Sequence, residues 1–345
     1  MKLGKGINLG GYLSQCEHMD AHYASFIDET DIKTIAEWGF DHVRVPVDHP
    51  VLEDAEGKPN TKGYAILERL AGWCGQHNLD MIIDLHKAYG YDFNDAGNEK
   101  QNRLFSSRDL QTRFISLWKT IADRFGNMER VAFEILNEIV EPTYAEPWNT
   151  LLDECVSAIR DITADTFIIY GGVQWNSAKY LKFLKKPKHE NILFSFHFYE
   201  PLAFTHQKAY WVPELNRGER VQYPESMEYY REKSAVLGSR AEYILNSRCQ
   251  RMGPEFIEEF LSDAFAVSEN MKVRLYCGEY GVIDTAPPED TLRWFRDVHA
   301  VLEKNRIGYC VWNYKTKDFG LFDSHYDGIR GELFGGQDAE KNKSR

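Results

Sequence analysis

Two glutamates carry the strongest chemical signal in this chain: Glu138 in FEILNEIVEP (133–142) and Glu279 in LYCGEYGVI (275–283). Each closes an apolar run rich in β-branched and aromatic residues, the pattern of a strand buried on both faces. An ionisable side chain at the end of such a run is costly to desolvate unless it has a task. Two carboxylates distant in sequence but brought into one cleft can divide acid/base and nucleophilic work on a glycosidic bond.

Positioning them requires a regular frame, and the hydrophobic pattern supplies one. Short apolar runs recur at GINLG (6–10), HVRVPV (42–47), DMIIDLH (80–86), VAFEILNE (131–138), TFIIYGG (166–172), ILFSFHFY (192–199), VRLYCGEYG (273–281) and GYCVWNYK (308–315). Helical spacing lies between them: Ile32, Ile35, Ala36 and Trp38; Leu67, Leu70, Ala71 and Cys74; Phe114, Leu117, Trp118 and Ile121; Leu151, Leu152, Cys155, Val156 and Ile159. Further helices are expected over 255–270 and 289–304, with a weaker one at 177–184. Strands alternating with helices predict an α/β fold, a (β/α)8 TIM barrel, in one domain spanning 1–345. The stretch from Tyr199 to Val273 is longer than a crossover needs. It predicts an inserted, mainly helical subdomain at about 203–254, on the loop after strand 6, where it would act as a lid on the cleft.

Composition narrows the partners. A net charge of −12 disfavours nucleic acid and anionic membranes, whose binding draws on clustered Lys and Arg. The short basic run KFLKKPKHE (182–190) reads as a solvated helix end. The N-terminus lacks the apolar core of a signal peptide, so a cytoplasmic location is expected. Six cysteines lack paired or zinc-binding spacing and read as buried thiols in a reducing compartment. Aromatic residues are abundant, and some of them are expected to line a sugar cleft.

In a barrel of this kind, functional side chains gather where strands end. Those ends supply Arg44, His86, Asn137, Glu138, His197, Tyr199, Glu279 and Trp312. With the motifs LNE (136–138), HFY (197–199), GEYG (278–281) and VWNY (311–314), and with GINLGG (6–11) and GFDHVRVPV (39–47), the chain resembles glycoside hydrolase family 5 over nearly its whole length. Within that family it is similar to bacterial endoglucanases of the clostridial endoglucanase C type, which share FTHQKAYW (204–211) at the start of a long insertion.

The resemblance implies a retaining β-glycosidase. Glu279 is the expected nucleophile, held ionised by donors such as Arg44 and Tyr199. Glu138 is the expected acid/base, kept protonated at first by the neighbouring charge of Glu279 and tuned by His197. Asn137 is expected at the sugar 2-hydroxyl, His86 at another hydroxyl of the attacked ring, and Trp312 as its aromatic floor. His206, Gln207 and Trp211 are candidate lid contacts. One position departs from the pattern: Lys87 follows His86 where relatives often carry a second histidine.

Other chemistries fit poorly. DFNDAG (92–97) begins like an EF-hand loop, but Ala96 and Arg103 occupy positions that must ligate calcium. HExxH, P-loop, dinucleotide and GxSxG motifs are absent, so neither metal nor cofactor is expected. A catalytically inactive glucan-binding protein would have lost a catalytic carboxylate, and both are present. The expected substrate is an oligosaccharide or polysaccharide with β-1,4 or mixed glucan linkages, cut in endo or exo fashion. An exo-acting β-mannosidase or β-1,3-glucanase is the alternative.

Overall fold

Eight short apolar strands, nearly every residue buried, define the architecture: β1 (Lys5–Asn8), β2 (His42–Asp48), β3 (Asp80–Lys87), β4 (Val131–Glu134), β5 (Ile168–Gly171), β6 (Ile192–Phe198), β7 (Arg274–Tyr280) and β8 (Gly308–Val311). In the computed structural model, which describes residues 1–216 and 219–334, each strand pairs in parallel with the next. β8 pairs back onto β1, so the sheet closes into the expected (β/α)8 barrel.

Amphipathic helices cover the outside: α1 (Glu29–Glu37), α2 (Thr61–Gln76), α3 (Arg108–Phe125), α4 (Ala145–Arg160), α5 (Pro254–Met271) and α6 (Pro288–Lys304). Local chemistry sets their starts. A reciprocal capping box between Asp28 and Asp31 opens α1. Asn60 caps α2, and proline stands in the first turn of α5 and α6. The weak helix expected at 177–184 is a 3₁₀ segment, Ala178–Phe183. The basic run beside it is neutralised at the surface, where Lys182 pairs with Asp263 at 3.1 Å and Lys188 with Asp153 at 2.6 Å. Among the described residues, no helix is long and apolar enough to cross a membrane.

The barrel interior is layered by the period-two geometry of its strands. Ile82, Ala132, Ile169, Leu193, Tyr276 and Cys310 form an apolar cluster with Leu3 at the bottom. Two residues further along β3, β4 and β6 stand Asp84, Glu134 and Ser195, all buried; Asn8 and Arg44 join them from β1 and β2. Another two residues on, His86 and His197 reach the open end. The sequence thus converts an apolar plug into a buried polar layer by changing residue type on one face.

After β6 the chain runs through short helices at Leu202–Thr205, Pro213–Asn216, Met227–Ser234 and Glu242–Asn246 before α5 begins. Residues 217 and 218 of the expected insertion, and 335–345 of the expected domain, lie outside the described residues. Ala203, Ala209, Val212, Leu215, Leu237 and Ala241 of this segment cluster with Trp312 and Phe319, so the insertion packs directly against the loop after β8.

Candidate active site

Arg44 is the centre of the polar layer and is fully buried. Its Nε and Nη2 donate to Glu134 at 2.7 and 3.2 Å. Nη1 donates to Asn8 at 2.9 Å and to Glu279 Oε1 at 2.7 Å. Nη2 also reaches Asn137 Oδ1 at 2.9 Å and Asp84 Oδ2 at 3.1 Å. Burial opposes the guanidinium's charge, but Asp84, Glu134 and Glu279 around it hold it protonated well above its ordinary range. Only a planar fork with five donors can serve so many acceptors at once.

Glu279 owes its direction to a register shift. Phe196 pairs with Cys277, but His197 pairs with Glu279, leaving Gly278 as an extra residue in β7. Cys277 and Tyr280 consequently pack in the outer core, while Glu279 turns into the barrel. Its Oε2 accepts from Tyr199 Oη at 3.0 Å.

Glu138 sits differently. β4 ends at Glu134, four residues short of the strand end expected at Glu138. A pleated strand points successive side chains to opposite faces, so Asn137 and Glu138 cannot both face the cleft unless the chain leaves the pleat. It does so gradually: Ile135 N still bonds Ile169 O, and Asn137 N bonds Leu85 O. Tyr91 then clamps the turn, donating to Glu138 O at 3.1 Å and accepting from Val140 N at 2.9 Å.

Glu138 Oε1 lies 2.8 Å from His197 Nδ1. Burial raises the Glu138 carboxyl to about 7, and the charges of His86 and Arg44 only partly oppose it. Desolvation, rather than the expected repulsion from Glu279, is the leading cause of this proton retention. Burial also lowers His197 to about 4, so a neutral ring donates to the carboxyl.

Trp312, the expected cleft floor, lies immediately after β8 rather than within it. Its ring lies parallel to His86, 6° apart, with centroids 5.9 Å apart. Two glycines leave room for it: a Cβ on Gly10 would fall 2.8 Å from the indole, and one on Gly281 2.2 Å from the Trp312 carbonyl. His86 donates from Nδ1 to Asp84 at 2.6 Å, and Gln15 Nε2 approaches its Nε2 at 3.3 Å. The departure at Lys87 is occupied by a 2.7 Å ion pair with Asp92.

The three insertion residues separate. His206 stands edge-on to Tyr199, with centroids 5.0 Å apart, and Trp211 remains 42% exposed beside it. Gln207 is not a cleft contact. It is buried, its amide donates to Phe204 O and Val221 O, and its oxygen accepts from Val221 N, so both N–H groups are used in holding the insertion together.

Asp84, Glu134, Gln15 and Tyr91 were not singled out from sequence. The first two had a readable signal, an acid inside an apolar run, Asp84 in DMIIDLH (80–86) and Glu134 in VAFEILNE (131–138). Gln15 and Tyr91 lie on loops and had none. Among the described residues, Glu138, His197 and Glu279 also offer three potential ligand atoms within 4.8 Å of one another.

Comparison with known proteins agrees with this architecture. The cellulase family, glycosyl hydrolase family 5, matches residues 4–318. Endoglucanase C of Acetivibrio thermocellus is 39% identical over 333 residues, covering 95% of this chain and 96% of the relative. Cellodextrinase A of Ruminococcus flavefaciens is 36% identical, covering 88% and 83%. The structure of Thermotoga maritima Cel5A in complex with cellobiose superposes with a TM-score of 0.71 at 27% identity, covering 93% of each chain. On its motifs, its closed barrel and these similarities, the chain belongs to glycosyl hydrolase family 5.

Proposed function

We propose that the protein is a retaining β-glycosidase that hydrolyses β-1,4- or mixed-linked glucans and gluco-oligosaccharides by double displacement. The observation that carries this reading is the unequal treatment of two carboxylates with oxygens within 4.8 Å of one another. Glu279 receives hydrogen bonds from a buried guanidinium and a phenol, as an anionic nucleophile requires. Glu138 is desolvated and faces a neutral donor, as a proton donor requires. The short separation suits a covalent glycosyl-enzyme, for which carboxyl groups about 5–5.5 Å apart are usual; inversion needs roughly 6.5–9.5 Å to admit a water.

Glu279 attacks the anomeric carbon while Glu138 protonates the leaving oxygen. Glu138, now ionised, then takes a proton from the water that releases the sugar. Asn137 gives its amide oxygen to Arg44, which leaves its N–H groups for the 2-hydroxyl. Trp312 and His86 present a continuous wall to the attacked ring. The insertion, with exposed Tyr210 and Trp211, serves as a lid at the cleft edge.

Relatives named as an endoglucanase and a cellodextrinase support glucan chains and their shorter fragments as substrates. Thermotoga maritima Cel5A has also been crystallised with mannotriose, which supports a mannoside activity as the second reading. A panel of cello-, mixed-linkage and manno-oligosaccharides, followed by product NMR, tests both points. Initial appearance of the β-anomer from a glucan supports the proposal. An initial α-anomer would overturn the mechanism, and turnover confined to mannosides would overturn the substrate.

A further inference from the structure

The loop after β5 contains three consecutive residues in the left-handed region: Gln174, Trp175 and Asn176, with φ of 58°, 52° and 52°. None is glycine, and L-residues disfavour this region, so the surroundings must impose it. Both flanks are tied to the proposed acid/base machinery. Trp175 N donates to Ile139 O, one residue after Glu138, and Ser177 forms a β-bridge with His197. The result buries Asn176, 1% exposed, with its Nδ2 3.4 Å from His197 Nε2. Gly171 makes the space, because a Cβ there would lie 2.5 Å from the Asn176 side chain.

An amide nitrogen can only donate, so Nε2 must accept. The ring proton then resides on Nδ1, which points at Glu138 Oε1 at 2.8 Å. Reversing the amide would set Oδ1 against Nε2, demand a proton there, and turn Nδ1 into an acceptor for the proton of Glu138. His86 shows the same arrangement, with an amide donor at Nε2 and an acid at Nδ1.

We infer that Asn176 is a positioning residue that fixes the His197 tautomer and so directs the Glu138 proton, carried on the carboxyl oxygen not facing His197, into the cleft. This inference rests on the acid/base role proposed for Glu138. The groups facing His197 are Glu138, Glu279 at 3.7 Å, and, by charge, Glu134, Arg44 and His86. Among them Asn176 is the neutral amide that selects a tautomer without adding charge.

The test uses whole protein labelled with ¹⁵N-histidine, the His197 signals being identified by their loss in His197→Gln. The expected native spectrum has a protonated Nδ1 and an unprotonated Nε2. A native ring protonated on Nε2 overturns the inference whether or not the protein hydrolyses glucans, so the two readings fail separately. Asn176→Leu should release the tautomer and lower kcat/KM about 10–100-fold on substrates with poor leaving groups, while a dinitrophenyl cellobioside, which needs no proton, changes little. Equal losses on both substrates would also overturn it. Asn176→Asp keeps the shape should the leucine variant misfold. Its added carboxylate should draw a second proton onto the ring, and the resulting cation should move the basic limb of kcat/KM to lower pH. An unmoved limb together with an unchanged ring spectrum counts against the inference.

Discussion

Arg44 Nη1 and Glu279 Oε1 meet at 2.7 Å inside a layer where the same guanidinium also serves Glu134, Asp84, Asn8 and Asn137. Five of the eight strands or their following loops are therefore joined through one side chain. Removing one partner from a buried ionic network leaves the others uncompensated, at about 3–5 kcal/mol. Arg44→Met is expected to unfold at least that much more readily in urea, or to fail to fold. Arg44→Lys restores charge but has three donors on a point-like ammonium. It should recover part of the stability and little of the activity. Full activity in the lysine variant would show that the fork geometry is unimportant.

Azide separates the two glutamates. Glu279→Gln should reduce turnover to background, and azide should restore it with formation of the α-glycosyl azide. Glu138→Gln should lose about 10²–10⁴-fold on substrates with poor leaving groups, and azide should then yield the β-glycosyl azide. The opposite pairing of anomers would exchange the assignments.

The Glu138 carboxyl, raised by burial to about 7, is the group whose ionisation should end activity at high pH. The protonated form is the acid, so kcat/KM should fall as pH rises through about 7. Glu138→Gln assayed on an activated aryl glycoside should lose that limb. A limb persisting in the variant would place the titration elsewhere.

The same proton affinity has a stability consequence. Below the ordinary value of 4.5 the carboxyl is neutral in both folded and unfolded chains. As pH rises from 4.5 towards about 7, the unfolded chain ionises first and unfolding is favoured; above about 7 that destabilisation is complete and constant. Glu138→Gln should therefore be more stable than the native protein by about 1–3 kcal/mol at pH 8, with the difference vanishing near pH 4.5. Thermal melts at the two pH values check it, and an equal difference at both would sink the linkage.

What the sequence discloses depends on how local the cause is. The eight strands were legible because burial on both faces leaves near-continuous apolar runs, as in HVRVPV. The outward helices were legible through their period. The end of β4 was not, because its last residues remain apolar while the backbone leaves the ladder. Gln207 was a candidate lid contact from its place in FTHQKAYW at the start of the insertion; its partners at Phe204 and Val221 exist only once the insertion has folded. The left-handed run at Gln174–Asn176 carries no glycine to announce it. Its conformation is imposed by contacts with Ile139 and His197, which no window of sequence contains.

The space kept open by Gly10 and Gly281 bears on how this cleft can change. The positions that crowd Trp312, the expected aromatic floor, bear no side chains to vary. A combinatorial library that randomises Gly10 or Gly281 would displace the Trp312 indole in the first case and its backbone carbonyl in the second. Lys87, ion-paired with Asp92, and the half-exposed Trp211 can be varied without adding a side chain at either glycine.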